Sequence, residues 1–170
     1  MNNQVIKTGL EVKTTYHDTK QTWFVSCVES PYEKEQSRDG LIKSINQYND
    51  NGDLHGKQYT WYYDGRMERV EEYYDGKLDG CCIFYEWNQG SKEKEEHYKN
   101  GELIKRISFD FGFNQEMCNE KYKDGKLHGT QTKWHTGYNN ETQQIEHSIK
   151  ECGKYLNGIP DGIHTTKYRN

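Results

Sequence analysis

Tyr73-Tyr74-Asp75-Gly76-Lys77-Leu78-Asp79-Gly80 decides how this chain folds, because the phrase comes back. It returns as Tyr122-Lys123-Asp124-Gly125-Lys126-Leu127-His128-Gly129. Tyr98-Lys99-Asn100-Gly101-Glu102-Leu103 keeps the first half and puts Lys105 where the second glycine would fall. Asn49-Asp50-Asn51-Gly52-Asp53-Leu54-His55-Gly56 follows Tyr48 with one extra residue. Tyr155-Leu156-Asn157-Gly158-Ile159-Pro160-Asp161-Gly162 closes the series. The leading glycines stand at 52, 76, 101, 125 and 158, so the intervals are 24, 25, 24 and 33. The last interval is long by about eight residues, which places an insertion within 138–146. A second series, Gly40, Gly65, Gly90, Gly112 and Gly137, interleaves with the first. Two turn signals in one period mean two strands per repeat. Asp39-Gly40 and Asp64-Gly65 are tight-turn dipeptides, because glycine accepts the positive φ such turns need.

The intervening stretches alternate as strands do. Tyr59, Trp61 and Tyr63 stand three, five and seven residues after Gly56; Ile83, Tyr85 and Trp87 repeat those offsets after Gly80. Thr132 and Trp134 repeat the first two after Gly129. Residues two apart share a strand face. Trp61, Tyr85 and Trp134 are therefore expected to stack in one column, and Tyr73, Tyr98, Tyr122 and Tyr155 in a second. Lys57, Glu71 and Glu95 are expected on the opposite, solvated face. The prediction is an all-β protein, an elongated antiparallel meander of tandem hairpins of about 24 residues, forming a single-layer twisted sheet. Residues 39–170 form the array. Residues 1–38 form a degenerate β capping region, in which Tyr16-His17-Asp18-Thr19-Lys20 carries Thr for the turn glycine ahead of Trp23-Phe24-Val25. Terminal repeats are commonly atypical.

Composition agrees with a thin, aromatic fold. The 170 residues are 31% hydrophobic, yet 14% are aromatic, including 14 Tyr and 4 Trp, and there is no alanine. Mean hydropathy is −1.24. Aromatic rings supply large buried area while Tyr keeps a polar end for water, and the lack of Ala disfavours helices. The plentiful Lys, Asn, Tyr and Ile fit an AT-rich genome, whether of a low-GC bacterium, a phage or a large DNA virus. A net charge of −4 argues against the basic footprint of a nucleic-acid binder. No signal peptide or membrane span is evident, so a cytoplasmic protein is expected. The five cysteines, Cys27, Cys81, Cys82, Cys118 and Cys152, include no Cys-x-x-Cys pair, which suits reduced thiols.

The phrase Tyr-x-Asp-Gly-Lys-Leu-x-Gly, followed by an aromatic strand and a second glycine turn, resembles the MORN repeat. In particular it is similar to the variant repeats of bacterial YwqK-type antitoxins and of viral MORN-repeat proteins. The best copies are 73–87 and 122–134, and the resemblance spans 48–163. It departs from the pattern at Lys105 and between Gly137 and Cys152, where the sheet is expected to be irregular. The resemblance implies a scaffold, a protein-binding surface or a dimerisation element; the antitoxin label implies a toxin partner.

Chemistry is sparse. His55 and His128 occupy the slot before the second glycine, which Asp79 fills elsewhere, so they read as turn residues. No spacing among the seven histidines and five cysteines matches a zinc site, and no metal or cofactor is expected. Cys81-Cys82 points one thiol to each face, one packed and one toward solvent. The run Lys92–Glu96 reads as a solvated strand end, or as an acidic patch for a basic partner. No P-loop, nucleotide fingerprint or nucleophile elbow is present, so no catalytic residue is assigned and the chain is not expected to be an enzyme. The expected function is binding, and inhibiting, a protein partner: a toxin, a defence protein or a host protein. The candidate contacts are Tyr59, Trp61, Tyr63, Tyr85, Trp87 and Trp134, since Tyr and Trp dominate binding hot spots. A scaffold that pairs with itself through an edge strand is the alternative, with a possible homodimer as its product. A small-ligand binder in a groove of the curled sheet is the third reading.

Overall fold

The glycine series sets the strand ends. In the computed structural model, which describes residues 11–16, 41–111, 114–139 and 142–168, the chain forms an open sheet with no helix among these residues. The strands are β1 (Glu11–Tyr16), β2 (Ile42–Tyr48), β3 (Gly56–Trp61), β4 (Met67–Tyr74), β5 (Lys77–Leu78), β6 (Gly80–Tyr85), β7 (Lys92–Lys99), β8 (Glu102–Phe109), β9 (Glu116–Lys123), β10 (Lys126–Leu127), β11 (Gly129–Asn139), β12 (Gln144–Leu156) and β13 (Ile159–Thr166). They pair antiparallel in the order β1-β2-β3-β4-β6-β7-β8-β9-β11-β12-β13, with β5 and β10 folded back on β4 and β9. This is the expected single-layer meander. The turn glycines Gly52, Gly76, Gly101, Gly125 and Gly158 all have φ between 70° and 86°, a region open to glycine at no steric cost.

Neighbouring turns are tied by a backbone ladder. Gly76 donates to Leu54 O, Gly101 to Leu78 O and Gly158 to Leu127 O, at 2.7–2.9 Å. The series passes over Leu103 and Gly125. That gap falls in the copy with Lys105 instead of the second glycine. There β8 runs on from Glu102 without the break that separates β5 from β6, and pairs along β7 on one side and β9 on the other. Pairing thus carries on through Lys105, and the irregularity expected there is a bulge: the register shifts between His97↔Lys105 and Tyr98↔Leu103, with Ile104 as the extra residue.

One face of the sheet carries a row of buried polar groups. Gln58 lies opposite Glu71, Cys82 opposite Glu96, Glu96 opposite Arg106, Arg106 opposite Glu120, and Gln131 opposite Gly153. Gln58, Cys82, Glu96, Gln131 and Gly153 are all buried. Two of them fill gaps where strands splay. The pair β2–β3 keeps only Ser44↔Thr60 and Ile45↔Tyr59 in register, and beyond them Gln58 Oε1 accepts from the Gln47 N–H at 2.7 Å while its Nε2 donates to Gln47 O and Gly56 O. Gln131 does the same between β9 and β11: its Oε1 accepts from Lys121 N–H at 2.7 Å, and its Nε2 donates to Lys121 O, His128 O and Gly129 O. In the middle copy the Cys82 sulfur sits against the Glu72 N–H in the amide's place. Backbone groups without water need such partners.

Tyr73, Tyr98 and Tyr155 lie on this polar face, each opposite the second glycine of its hairpin: Gly56↔Tyr73, Gly80↔Tyr98 and Gly129↔Tyr155. Glu96, almost fully buried, accepts from Tyr98 OH at 2.8 Å and Arg106 Nε at 2.8 Å and pairs with Lys94 Nζ at 3.3 Å. The run Lys92–Glu96 is therefore neither a solvated end nor an acidic patch at Glu96. Burial acts to raise the Glu96 pKa, but the bonds from Tyr98 and Arg106 and the charge of Lys94 outweigh it and hold the carboxyl below its usual range.

The opposite face carries the apolar row Ile45–Tyr59–Val70–Ile83, continued through Glu95 to Ile107. Lys57 and Glu95 share this face with Tyr59, and Glu71 lies half-buried beside Tyr73 on the polar face, so none of the three takes the solvated face expected opposite both aromatic columns. The physical reason for Glu95 is a register slip of one residue in each hairpin: between Thr60 and Trp61, Phe84 and Tyr85, Ser108 and Phe109, and Lys133 and Trp134. The return strand carries one extra residue there, and such a bulge inverts the alternation counted through it. The expected Trp61–Tyr85–Trp134 ring column does not form, because β4 separates β3 from β6. The ring contact described for Trp61 is with Tyr59, at 6.0 Å, and that of Trp134 is with His147, at 5.7 Å.

The insertion is a hairpin arm. β11 and β12 stay paired from Gly129↔Tyr155 to Asn139↔Gln144, well past the reach of β9, whose register with β11 ends at Lys133↔Cys118. Gly137 accordingly lies within β11, not in a turn as its place in the glycine series suggested. Gly40, Gly112, Trp23-Phe24-Val25 and the worn turn at 17–20 fall outside the described residues.

Candidate protein-interaction surface

The β3–β4, β6–β7, β8–β9 and β11–β12 hairpin ends lie on one long side of the sheet. Each has an exposed aromatic at or beside it. Tyr63 is 47% exposed, Trp87 49%, Phe111 55% and Tyr138 52%. They form a crest with one ring per hairpin. Adjacent hairpins are two strands apart, or about 9.6 Å along the sheet, yet the Tyr63 and Trp87 rings lean together to a centroid separation of 6.3 Å. The Arg66 guanidinium lies 5.7 Å from the Trp87 ring centroid. Its Nε donates to Asp64 Oδ2 at 2.9 Å and its Nη1 to the Asn88 carbonyl. Tyr62 OH donates to Tyr85 O at 2.7 Å, which joins the first two loops.

The crest side is acidic. Its loops and first flanking residues carry Asp64, Glu68, Glu86, Glu93, Asp110 and Glu116 against Arg66 and Lys92. Burial, then the negative charges of Glu68, Glu93, Asp64 and Glu86, push the Tyr62 hydroxyl above its ordinary pKa. Burial acts to raise the Asp64 pKa, but the Arg66 side-chain and backbone hydrogen bonds reverse it and hold the carboxyl low.

The arm extends the crest with an apolar face of its own. Trp134 lies opposite Ile149, Thr136 opposite His147 and Tyr138 opposite Ile145. Tyr138, Ile145 and Ile149 are exposed, and among the described strands β9 and β13 both stop short of them. Of the aromatic candidates, Tyr63 and Trp87 thus stand at the crest, and Trp134 at the root of the arm. Tyr59 and Tyr85 are half-buried within the sheet. Trp61 is 5% exposed, so its ring is core. Phe111 and Tyr138 escaped the sequence reading. Phe111 has no second glycine from which its offset could be counted, and Tyr138 belongs to the insertion.

The residue before the second glycine links turns, as its slot suggested. His55 Nδ1 is 3.0 Å from Asp75 Oδ1 in the next turn, and Asp79 accepts from Lys99 Nζ at 3.0 Å and the Asn100 N–H at 3.1 Å. On the polar face a groove of about 250 Å³ is lined by Glu120, Gln131, Lys133, Glu151, Tyr155 and His164, among others. Lys133 and Glu151 in its wall pair with each other at 3.2 Å. Cys81, Cys82, Cys118 and Cys152 are unpaired, with Cys82 fully buried and Cys81 half-buried. No helix among the described residues is long and apolar enough to cross a membrane. No family model matches the chain, and no curated protein matches it.

Proposed function

We propose that this chain is a non-enzymatic, MORN-like hairpin array that binds a protein partner along its aromatic crest and thereby inhibits it. The supporting observation is the row of exposed Tyr63, Trp87, Phe111 and Tyr138, one per hairpin, in an acidic surround. Singly exposed aromatics need no explanation, but one at each of these four hairpin ends, two of them in contact, marks a candidate contact surface. Trp and Tyr give large contact area at low entropic cost, and they dominate hot spots. The acidic loops select a basic partner segment, whose Lys or Arg side chains meet the Trp87 and Tyr63 rings as cations over aromatic faces, and they speed encounter. A toxin, a defence factor or a host protein with such a segment fits this reading. A cytoplasmic setting is part of the proposal, supported by the unpaired thiols.

The test places a photo-crosslinking amino acid in the full chain at Trp87 or at Phe111, with Lys77 on the opposite long side as control, in the native host. The expected result is a stoichiometric adduct with one basic protein from the crest positions alone. Trp87→Ala should then weaken the purified complex by about 2 kcal/mol. Adducts that are absent at the crest, or equal at Lys77, overturn the proposal.

A second reading rests on the β13 edge. Leu156, Ile159 and Ile163 are exposed, Ile163 at 87%, beside a strand with no further neighbour among the described strands. Such an edge invites pairing with a second copy, although Pro160 removes one donor from it. A strict monomer in light scattering at millimolar concentration removes this reading.

A further inference from the structure

We propose that Cys81, Glu95 and His97 form a site for a divalent transition-metal ion of zinc-like preference. The site is independent of the crest. It lies on the apolar face, in the middle of the sheet, and it is built by register. Cys81 on β6 stands directly opposite His97 on β7, and Ile83 stands opposite Glu95, so Glu95 is the next residue on the same face. One ligand atom from each, the Cys81 sulfur, a Glu95 oxygen and a His97 ring nitrogen, lie within 4.8 Å of one another. His97 Nε2 is already 2.9 Å from Glu95 Oε1. Zinc bond lengths of about 2.3 Å to sulfur and about 2.0–2.2 Å to nitrogen and oxygen put tetrahedral ligand atoms roughly 3.3–3.5 Å apart. Two of the three are therefore near their bound spacing. The thiol reaches the third corner by side-chain rotation of about 1 Å, with no change in the strand pairing that supplies the geometry.

The donor set selects the metal class. A thiolate with an imidazole favours zinc and its neighbours over magnesium or calcium, which take oxygen ligands. Three protein ligands leave a fourth position for water. The surrounding charges suit a bound cation. Lys92 Nζ holds the other carboxylate oxygen, Glu95 Oε2, at 3.2 Å, which orients Oε1 inward as an outer-shell partner does. The Glu72 carboxylate accepts from the Cys81 N–H at 3.4 Å and brings a further negative charge. Lys57, opposite Glu72, Lys105, opposite His97, and Lys121 beyond it are the further charged groups in that row. On binding, the Cys81 S–H bond breaks, its electron pair forms the sulfur–metal bond and its proton leaves to solvent; an imidazolium at His97 likewise gives up its proton first.

The full chain, reduced and stripped of metal with a chelator, is titrated with cobalt(II) and followed by absorption, then with zinc by calorimetry in buffers of different ionisation enthalpy. One equivalent per chain is expected, with a thiolate-to-cobalt charge-transfer band and proton release. Cys81→Ser should abolish the band. His97→Asn and Glu95→Gln should weaken zinc binding by roughly 10- to 100-fold. Cys118→Ser, on the other face of the sheet, should change neither. Circular dichroism confirms that each variant is folded; Glu95→Gln alters a half-buried group by one atom and serves where Cys81→Ser does not fold. Absence of the band in the wild-type chain, its survival in Cys81→Ser, unchanged zinc affinity in Glu95→Gln, or its loss in Cys118→Ser overturns the proposal.

Discussion

Replacing Gln131 by Met tests whether the splayed strand pairs are held together by side-chain amides. Met keeps the length and nearly the volume of Gln, so the cavity cost is small. What it deletes is specific. The Lys121 N–H loses its only described acceptor, Gln131 Oε1 at 2.7 Å, at a site where Gln131 is buried. Lys121 O keeps a partner, because the His128 N–H also donates to it at 2.9 Å. The His128 and Gly129 carbonyls lose contacts of 3.2 and 3.3 Å, which are long. One orphaned buried donor costs about 1–3 kcal/mol, and the weaker losses together add about 1 kcal/mol. Gln131→Met should therefore destabilise by about 2–4 kcal/mol, a large share of the roughly 5–15 kcal/mol of a typical domain. The assay is equilibrium urea unfolding, with amide hydrogen exchange at Lys121 as the local readout. Gln131→Glu gives the sign check. A carboxylate still accepts from Lys121 N–H but faces the three carbonyls with no donor, so this variant should be worst at neutral pH and recover toward wild type in acid, as the side chain protonates. A Gln131→Met protein within about 0.5 kcal/mol of wild type, with Lys121 exchange unchanged, would refute the reasoning.

Two further outcomes follow from the same geometry. Burial, helped by Glu120 at Cys118 and Tyr122 and by Glu71 at Cys82, pushes the Cys82 and Cys118 thiols from 9.0 to about 11 and the Tyr122 hydroxyl from 10.0 to about 12; burial and Glu96 push Tyr98 up further. Folded pKa values above the unfolded ones mean that this stability is fully present below about pH 9 and drains away between pH 9 and 12; urea midpoints measured from pH 7 to 12 should fall across that window, and Cys118→Ser should flatten its lower half. Excising 136–147 and joining His135 to Ser148 through Asn-Gly removes the arm at a tight-turn sequence; loss of the Trp134–His147 stack should cost no more than about 1.5 kcal/mol, and a chain that no longer unfolds cooperatively in urea would show that the arm is part of the fold's core.

What could be read from the residues and what could not divide along one physical line. Turn glycines act locally: Gly76 or Gly125 needs its positive φ whatever lies across the sheet, so the meander and its two-strand period were legible in the phrase around Asp75 and Asp124. The faces of the return strands were not legible, because alternation holds only until a register slip. The extra residue between Tyr85 and Lys94 moves Glu95 onto the apolar face and Glu96 into the buried polar row, and nothing in Lys92–Glu96 announces the bulge. Nothing in the sequence marks Gln58 and Gln131 for burial, since their burial depends on a gap between two strands that only pairing creates. Cys82 shows the same gap filled by a sulfur, so even the repeat alignment hides the shared role. The crest was half legible: Tyr63 and Trp87 share an offset from a glycine, while Phe111 and Tyr138 lost theirs to Lys105 and to the arm. Cys81 and His97 are sixteen positions apart in the chain and face to face in the sheet. A search for zinc spacings looks for ligands brought together by one turn, whereas here the hairpin between β6 and β7 brings them together by register. In a tandem hairpin array, chemistry is therefore to be sought across the ladder, at residues that sum to a constant around each turn, rather than along the chain.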